Sequence, residues 1–474
     1  MKHPDQYRGR QVVVLGLAKS GVQVAKTLHK HGAVVTANDK KEREQCPEAS
    51  ELEALGISVV CGGHPDDLIH EDVALVVKNP GIPYTVAPVA KALELGIDVV
   101  TEVEIAYLLT HAPIIGITGS NGKTTTTTWI GKMLESAGLH PIVAGNIGTP
   151  LCQAAEDAST EEWLVAELSS FQLKGTQDFR PAIACLLNVA ETHLDYHGSM
   201  EDYITSKAKL FANQHETDTA VINWDDPVCR KLIPDIRAKL FPFSLTEVLD
   251  MESVYVRPSY VRGQDDELVR SIVYRDSEGN ERKIVDVHEI ALPGRFNVGN
   301  ALAAIAASIA AGAAPEALVQ PLRTFRGVEH RLEYVEEKQG VAYYNNSKAT
   351  NSKATIMALG ALKAPIVLIA GGLDRGSDYM ELVPFLKGKV KALVVMGQTK
   401  EKIAHVARLA GLSDIVVVDT EDSAAETLRT ALKEASSLAV SGDVVLLSPA
   451  CASWDMFKSY EERGRIFKEA VHTL

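Results

Sequence analysis

The residues with the most specific chemistry in this chain are Gly119, Ser120, Asn121, Gly122, Lys123 and Thr124, followed by Thr125. A glycine-rich loop between a strand and a helix aims backbone N–H groups at phosphates, and the helix N-terminus adds positive potential. In such a loop Lys123 reaches the terminal phosphates and the Thr124 hydroxyl sits on Mg²⁺. The strict pattern has glycine where this chain has Ile117, yet the run from Thr118 to Thr124 is long enough to be specific for phosphate. Glu167 closes the apolar run WLVAE. A carboxylate at the end of a neighbouring strand is where a phosphate-loop enzyme holds its metal, although a surface acid or a helix cap would look the same. His193 follows another apolar run. Mg²⁺ prefers oxygen, so this histidine reads either as structural or as part of the site. Lys207 and Lys209 lie in EDYITSKAKLF, a helical pattern that sends them in different directions; a solvated basic face is the plain alternative.

Two further groups of loops could bind ligands. Gly16-Leu17-Ala18-Lys19-Ser20-Gly21 approximates a dinucleotide loop, with Asp39 at the end of the next strand. Ala18 replaces the glycine that lets backbone approach a pyrophosphate. This leaves NAD, another nucleotide diphosphate, or a structural turn as readings. Near the C-terminus, residues 346–351 (NSKATN), 371–376 (GGLDRG) and 448–453 (SPACAS) each follow a strand-like run. Three such loops at strand ends make a crevice for an anionic ligand.

These loops need a scaffold of alternating strands and helices. QVVVL (11–15), AVVTAND (33–39), ISVVCG (57–62), VALVVK (73–78) and IDVV (97–100) alternate with helical segments, which predicts a parallel sheet. A second unit begins near His111, with strand candidates at APIIGIT, PIVAGN, WLVAELSS, AIACLLNVA and TAVIN. Residues 250–290 switch to period two and predict antiparallel strands, and an alanine-rich helix follows at 298–312. After Arg326, VAYYNNS, PIVLIAGG, ALVVMG, IVVVD and DVVLLSPA predict a third doubly wound unit. The expected fold is α/β in three domains: a Rossmann-like domain at 1–99, a central P-loop ATPase-type domain with a mixed sheet at 100–327, and a Rossmann-like domain at 328–474. A length of 474 residues at roughly 150 per domain agrees.

The net charge is −14, so there is no basic footprint for nucleic acid. No signal-peptide pattern or membrane span is evident. The six cysteines show no CxxC spacing, which points to reduced thiols, no structural zinc and a cytoplasmic setting. A monomer is the default expectation.

Taken together, the motifs resemble the Mur ligase family, ATP-dependent enzymes that build the peptidoglycan precursor. TGSNGKT is shared across that superfamily, including folylpolyglutamate synthases. NNSKATN, GGLDRG and SPACASWDMFKSYEERG are similar to the branch that adds D-glutamate to UDP-N-acetylmuramoyl-L-alanine. The resemblance implies the following roles. Lys123 and Thr124 hold ATP phosphates and one Mg²⁺; Glu167 and His193 hold a second. Lys207 carries a CO₂-derived carbamate that serves as a metal ligand. Asn297 and Asn300 lie at the adenine, Arg331 at the ribose and phosphates, and Lys348 at the γ-phosphate. Ser20, Asp39 and the Asn79-Pro80-Gly81 turn face the uridine diphosphate, and Asn146 lies near the reacting carboxylate. Thr350, Arg375, Ser448 and the backbone of Phe457 hold D-glutamate. Many members have aspartate where this chain has Asn346, and a lysine-containing loop where it has Arg375, which keeps the charge and adds a fork. The alternatives are another Mur-type or folylpolyglutamate-type ligase, an NAD-binding protein, or a P-loop switch.

Overall fold

The computed structural model describes residues 3–191, 194–261, 268–419 and 423–474, with backbone only at 194 and 195. His193 therefore lies outside the described residues.

The first sheet contains β1 (Gln11–Leu15), β2 (Val34–Asp39), β3 (Ser58–Cys61), β4 (Val73–Lys78) and β5 (Val99–Val100). They lie in the order β3-β2-β1-β4-β5, all parallel. Strand β1 is almost wholly buried, which is why its sequence is a continuous apolar run rather than an alternating one. The order reverses between β1 and β4, so their C-terminal ends open the crevice where open α/β sheets bind ligands. The Lys19–Lys30 helix packs Val22, Val24, Ala25 and Leu28 inward. Gly21 presses on the Gly16 carbonyl so closely that no side chain fits there. Truncating Leu28 to alanine would cost about 2–5 kcal/mol.

The second sheet has β6 (Ile114–Thr118), β7 (His140–Gly145), β8 (Glu162–Glu167), β9 (Ile183–Leu186), β10 (Thr219–Asn223), β11 (Lys239–Ser244), β12 (Ser253–Arg257), β13 (Ser271–Arg275) and β14 (Glu281–Asp286). Its order is β14-β13-β12-β11-β10-β9-β6-β8-β7. The antiparallel pairs are β12–β13 and β13–β14, so the period-two segment extends this same sheet. Strand β11 escaped the sequence pattern because Pro242 sits inside it, opposite Ile222; proline normally argues against an interior strand. The alanine-rich helix runs Arg295–Ala310, and alanines 301, 303, 304, 306 and 307 are fully buried.

The third sheet has β15 (Glu333–Lys338), β16 (Val341–Asn345), β17 (Ile366–Ala370), β18 (Val390–Val395), β19 (Asp414–Val417) and β20 (Val444–Leu447). It lies in the order β15-β16-β20-β17-β18-β19, antiparallel only at β15–β16. The charged edge strand β15 was not foreseen. Its glutamates suit an edge that must not pair further.

Residues 1–290 and 298–323 form one compact unit, and residues 291–297 and 324–474 another. Within the first, one hydrophobic cluster joins the first two sheets through Leu28, Val103, Ile105, Leu151 and Ala155. All six cysteines are free of disulfides. Among the described residues, no helix is long and apolar enough to cross a membrane.

Candidate active site

Strand β6 ends at Thr118, and Gly119–Gly122 turns into the Lys123–Ser136 helix. Gly122 caps that helix at φ +86°, a left-handed conformation that favours glycine. The loop is pinned by Asn188, which the sequence reading missed. Its carbonyl accepts from Ser120 N at 2.9 Å, its Oδ1 accepts from Asn121 N at 2.9 Å, and its Nδ2 donates to Asn121 O at 3.1 Å. Its only sequence signal was a polar residue closing an apolar strand. The Ser120 hydroxyl is likewise engaged inside the fold, between Ala190 and Tyr203. Anion binding thus falls to the first-turn amides of the helix, which have no intrahelical partner. Lys123 Nζ folds back onto the carbonyls of Gly119 at 2.8 Å and Ser120 at 3.2 Å. Thr125 is buried in the same turn, and Asn300 packs against Gly122.

Glu167 ends β8, paired in register with Ile117 of β6 and Gly145 of β7. Its Oε1 accepts from Asn146 Nδ2 at 2.9 Å, and its carbonyl accepts from Asn146 N at 2.9 Å. Gly145 allows this approach: a Cβ there would lie 2.5 Å from Glu167 O. The other carboxylate oxygen, Oε2, is buried without a hydrogen-bond partner, and so is Thr124 Oγ1. Unsatisfied buried oxygens cost free energy, and a hard divalent cation takes oxygen ligands. These two oxygens therefore fit Mg²⁺, which is commonly held by a few protein oxygens together with phosphates and water. Among the described residues no group of three or more His, Cys, Asp or Glu side chains forms a metal cluster.

The Met200–Ala212 helix carries Lys207 to the same loop. Its Nζ donates to Gly119 O at 2.9 Å and Thr118 Oγ1 at 3.3 Å, above the Tyr203 ring. Lys207 is only 1 % exposed. Burial, reinforced by Lys123, pulls its pKa down to about 6, so its amine is neutral at pH 7. Two positions on, Lys209 donates instead to the carbonyls of Lys174 and Thr176. A solvated basic face is thereby excluded.

At the first sheet's crevice, Asp39 Oδ2 accepts from Leu17 N at 2.8 Å and Oδ1 from Lys41 N at 3.0 Å. Asn79 Nδ2 lies 3.5 Å from Ser20 Oγ, and a Cβ on Gly16 would lie 2.9 Å from Asn79 Cβ. Ser20, Asp39 and the Asn79–Gly81 turn thus gather at one crevice, while Asn146 is held at Glu167.

In the second unit, two of the three loops are tied together by Arg463, another residue missed from sequence, and the third lies beside it. Its Nε donates to Ser347 Oγ at 3.0 Å, and its Nη2 to Ser347 O at 2.8 Å and Cys451 O at 3.1 Å. A Cβ on Gly372 would lie 3.3 Å from its Nη1. Burial draws this guanidinium down to about 10. Asn346 takes a structural place: Oδ1 accepts from Leu332 N, and Nδ2 donates to Ser448 Oγ. Ser448 is fully buried and donates to Thr355 Oγ1, and Phe457 packs in the core with its N–H on Ser453 O. Arg375 stacks on the exposed Trp454 ring at 4.8 Å, and Lys348 lies 5.2 Å from the Tyr460 ring centroid. Thr350 N donates to Lys348 O, and Arg331 N to Val328 O. Asn297 Nδ2 donates to Pro293 O at 2.6 Å, one helical turn before Asn300.

The whole chain aligns over 475 positions with the UDP-N-acetylmuramoylalanine--D-glutamate ligase of Geobacillus kaustophilus (strain HTA426), at 49 % identity and full coverage of both proteins. The chain belongs to the Mur ligase family. The same enzyme name is carried by a Bacillus cereus (strain G9842) protein, 46 % identical with full coverage of both. This Mur ligase matches the MurD-like N-terminal domain over residues 10–101, the Mur ligase middle domain over 117–308, and the Mur ligase glutamate ligase domain over 330–451. Its fold is that of MurF from Acinetobacter baumannii, with a TM-score of 0.60 at 17 % identity, covering 97 % of this chain and 93 % of that one. As a Mur ligase it is an ATP-dependent, ADP-forming amide ligase of a family that uses ATP and Mg²⁺. The NAD and P-loop-switch readings fall away.

Proposed function

We propose that this Mur ligase joins D-glutamate to the L-alanine carboxylate of UDP-N-acetylmuramoyl-L-alanine, in peptidoglycan precursor synthesis. The reading draws its substrates from the relatives' name and its chemistry from one observation. Two buried orphan oxygens, on Thr124 and Glu167, belong to the turn and strand that flank a phosphate loop on which two lysines converge.

A carboxylate is a poor acyl donor, because oxide is a poor leaving group. Its oxygen attacks the γ-phosphorus of ATP, ADP departs, and an acyl phosphate remains. The amine of D-glutamate then attacks the carbonyl carbon, loses a proton, and expels phosphate. Lys123 and the helix N-terminus offset charge that builds on the transferring phosphoryl group. Thr124 Oγ1 would hold one Mg²⁺ and Glu167 Oε2 a second, and these ions would neutralise phosphate charge. Asn146 orients the Glu167 carboxylate through Oε1. The neutral amine of Lys207 suits reaction with CO₂: a nitrogen–carbon bond forms, a proton leaves, and the product is an anionic carbamate. Ser20, Asp39 and the Asn79–Gly81 turn would receive the uridine diphosphate. Arg375, stacked on Trp454, would face the side-chain carboxylate of the amino acid, and Lys348 the γ-phosphate. We place Thr350 with Arg375, Arg331 with the nucleotide, and His193 with Glu167 at the second metal. We treat the protein as a cytoplasmic monomer with domains at 1–99, 100–327 and 328–474.

The test is phosphate release from ATP with UDP-N-acetylmuramoyl-L-alanine, across a panel of single amino acids. Release that requires D-glutamate and fails with L-glutamate is expected. Release with a different amino acid would move the specificity, and no release with any would overturn the reading.

A further inference from the structure

We propose that Lys78 and Tyr196 form a tie that positions the Asn79–Gly81 turn for the UDP-linked substrate. The inference rests on the reading above, in which that turn faces the uridine diphosphate.

Lys78 ends β4 at the crevice where the strand order reverses. It is 1 % exposed. Among the described residues no carboxylate pairs with it. Its Nζ donates to Ile82 O at 2.9 Å, Pro80 O at 3.2 Å and the Tyr196 hydroxyl at 3.2 Å, and lies 4.6 Å from the centroid of the Tyr84 ring. A second cation, Lys174, lies 5.4 Å from the same ring and is paired with Asp202. Burial and Lys174 draw the Lys78 ammonium down to about 8. A buried cation held only by neutral acceptors is costly, and an apolar side chain of similar length would remove that cost. What the lysine supplies instead is geometry: its donors hold inward the carbonyls of the turn that follows it.

Tyr196 completes the arrangement from the other side. Its hydroxyl donates to the same Pro80 carbonyl at 3.0 Å. Its ring packs edge-on against Phe171 with centroids 4.5 Å apart. Phe171 lies in the Ser170–Lys174 helix that follows Glu167. The next residue, His197, is held at both ring nitrogens, by Asp202 at 2.6 Å and by Ser170 Oγ at 2.9 Å. The turn is thus clamped. Its Asn79 side chain rests on Gly16 and Ser20, and its carbonyls rest on Lys78 and Tyr196. With the turn held in this way, the tie sets where the uridine diphosphate end of the substrate sits. The donors of Lys78 are committed to the protein, which makes it a positioning residue rather than a ligand.

The test compares Lys78→Met, Tyr196→Phe and the double variant with the unaltered protein. UDP-N-acetylmuramoyl-L-alanine binding is measured by calorimetry without ATP, alongside KM for each substrate. Lys78→Met is expected to weaken that binding and raise that KM about tenfold, while KM for ATP and D-glutamate stays within about twofold. Tyr196→Phe keeps the ring on Phe171 and is expected to shift the same two quantities about threefold. The double variant is expected to fall short of the product of the singles, because both donors serve one carbonyl. If Lys78→Met does not fold, Tyr196→Phe carries the test alone. Unchanged binding, or an equal shift in all three KM values, would overturn the tie while leaving the functional reading intact. An unaltered protein that does not bind the UDP-linked compound would overturn both.

Discussion

Gly122 offers the most direct check on the phosphate-loop geometry. It caps the Lys123–Ser136 helix at φ +86°, and a Cβ there would fall on Asn300 Oδ1 and lie 3.0 Å from Asn300 Cγ. Left-handed backbone costs a residue with a Cβ about 1–2 kcal/mol. Alanine recovers about 0.4–1 kcal/mol by restricting the unfolded chain, so the backbone effect alone is about 1 kcal/mol. Gly138 closes the other end of the same helix at φ +74° with nothing within 4 Å of its Cβ position. Gly138→Ala therefore isolates the backbone effect. At Gly122 the collision with buried Asn300 adds about 1–3 kcal/mol, as overpacking does elsewhere. We expect Gly122→Ala to lose about 2–4 kcal/mol and Gly138→Ala about 1 kcal/mol. Placed on an Asn300→Ala background, the Gly122→Ala increment should shrink toward the Gly138 value. Urea denaturation of the five proteins measures this, and phosphate release gives KM for ATP, which only Gly122→Ala among the two glycine variants should raise. Equal losses at the two glycines, or a Gly122 increment indifferent to Asn300→Ala, would refute the packing described here.

Three other outcomes follow from the site. Glu167→Gln keeps an acceptor for Asn146 but replaces the orphan oxygen with an amide. The Mg²⁺ concentration for half-maximal phosphate release should therefore rise about tenfold, and an unchanged Mg²⁺ dependence would remove Glu167 from the metal site. Lys207 loses its proton near pH 6 when folded and near the ordinary lysine value of 10.5 when unfolded, so between these the unfolded chain binds more protons and stability climbs with pH. Lys207→Met should abolish activity and, in CO₂-free buffer, remove that climb; a wild-type-minus-variant urea midpoint that stays flat between about pH 6.5 and 9 would contradict the burial argument. Arg463→Lys keeps the charge but loses the fork that ties Ser347 to Cys451, so KM for D-glutamate should rise about fivefold while KM for the UDP-linked substrate holds.

The sheets were legible in the sequence because buried parallel strands read as apolar runs, as QVVVL and PIVLIA do. The period-two stretch from 250 to 290 was legible because one strand face alternates with the other. Two strands were not: Pro242 disguised β11, and glutamates disguised the edge strand β15. The phosphate loop was legible as a contiguous motif, since consecutive amides and one helix start do its chemistry.

By itself the sequence determined the three α/β sheets, the phosphate loop, the position of Glu167 at the end of its strand and that of Lys207 within a helix. Those features are local, encoded by hydrophobic period, glycine placement and short spacing. The tertiary structure alone decided that Lys207 is a buried neutral amine on the Gly119 carbonyl while Lys209 turns away. It alone brought Asn188 beneath the loop 67 residues earlier in the chain, set Arg463 under Ser347 and Cys451, and gave Lys78 a partner in Tyr196 118 residues away. Desolvation and hydrogen-bond closure depend on which distant segments meet, and no local pattern carries that information.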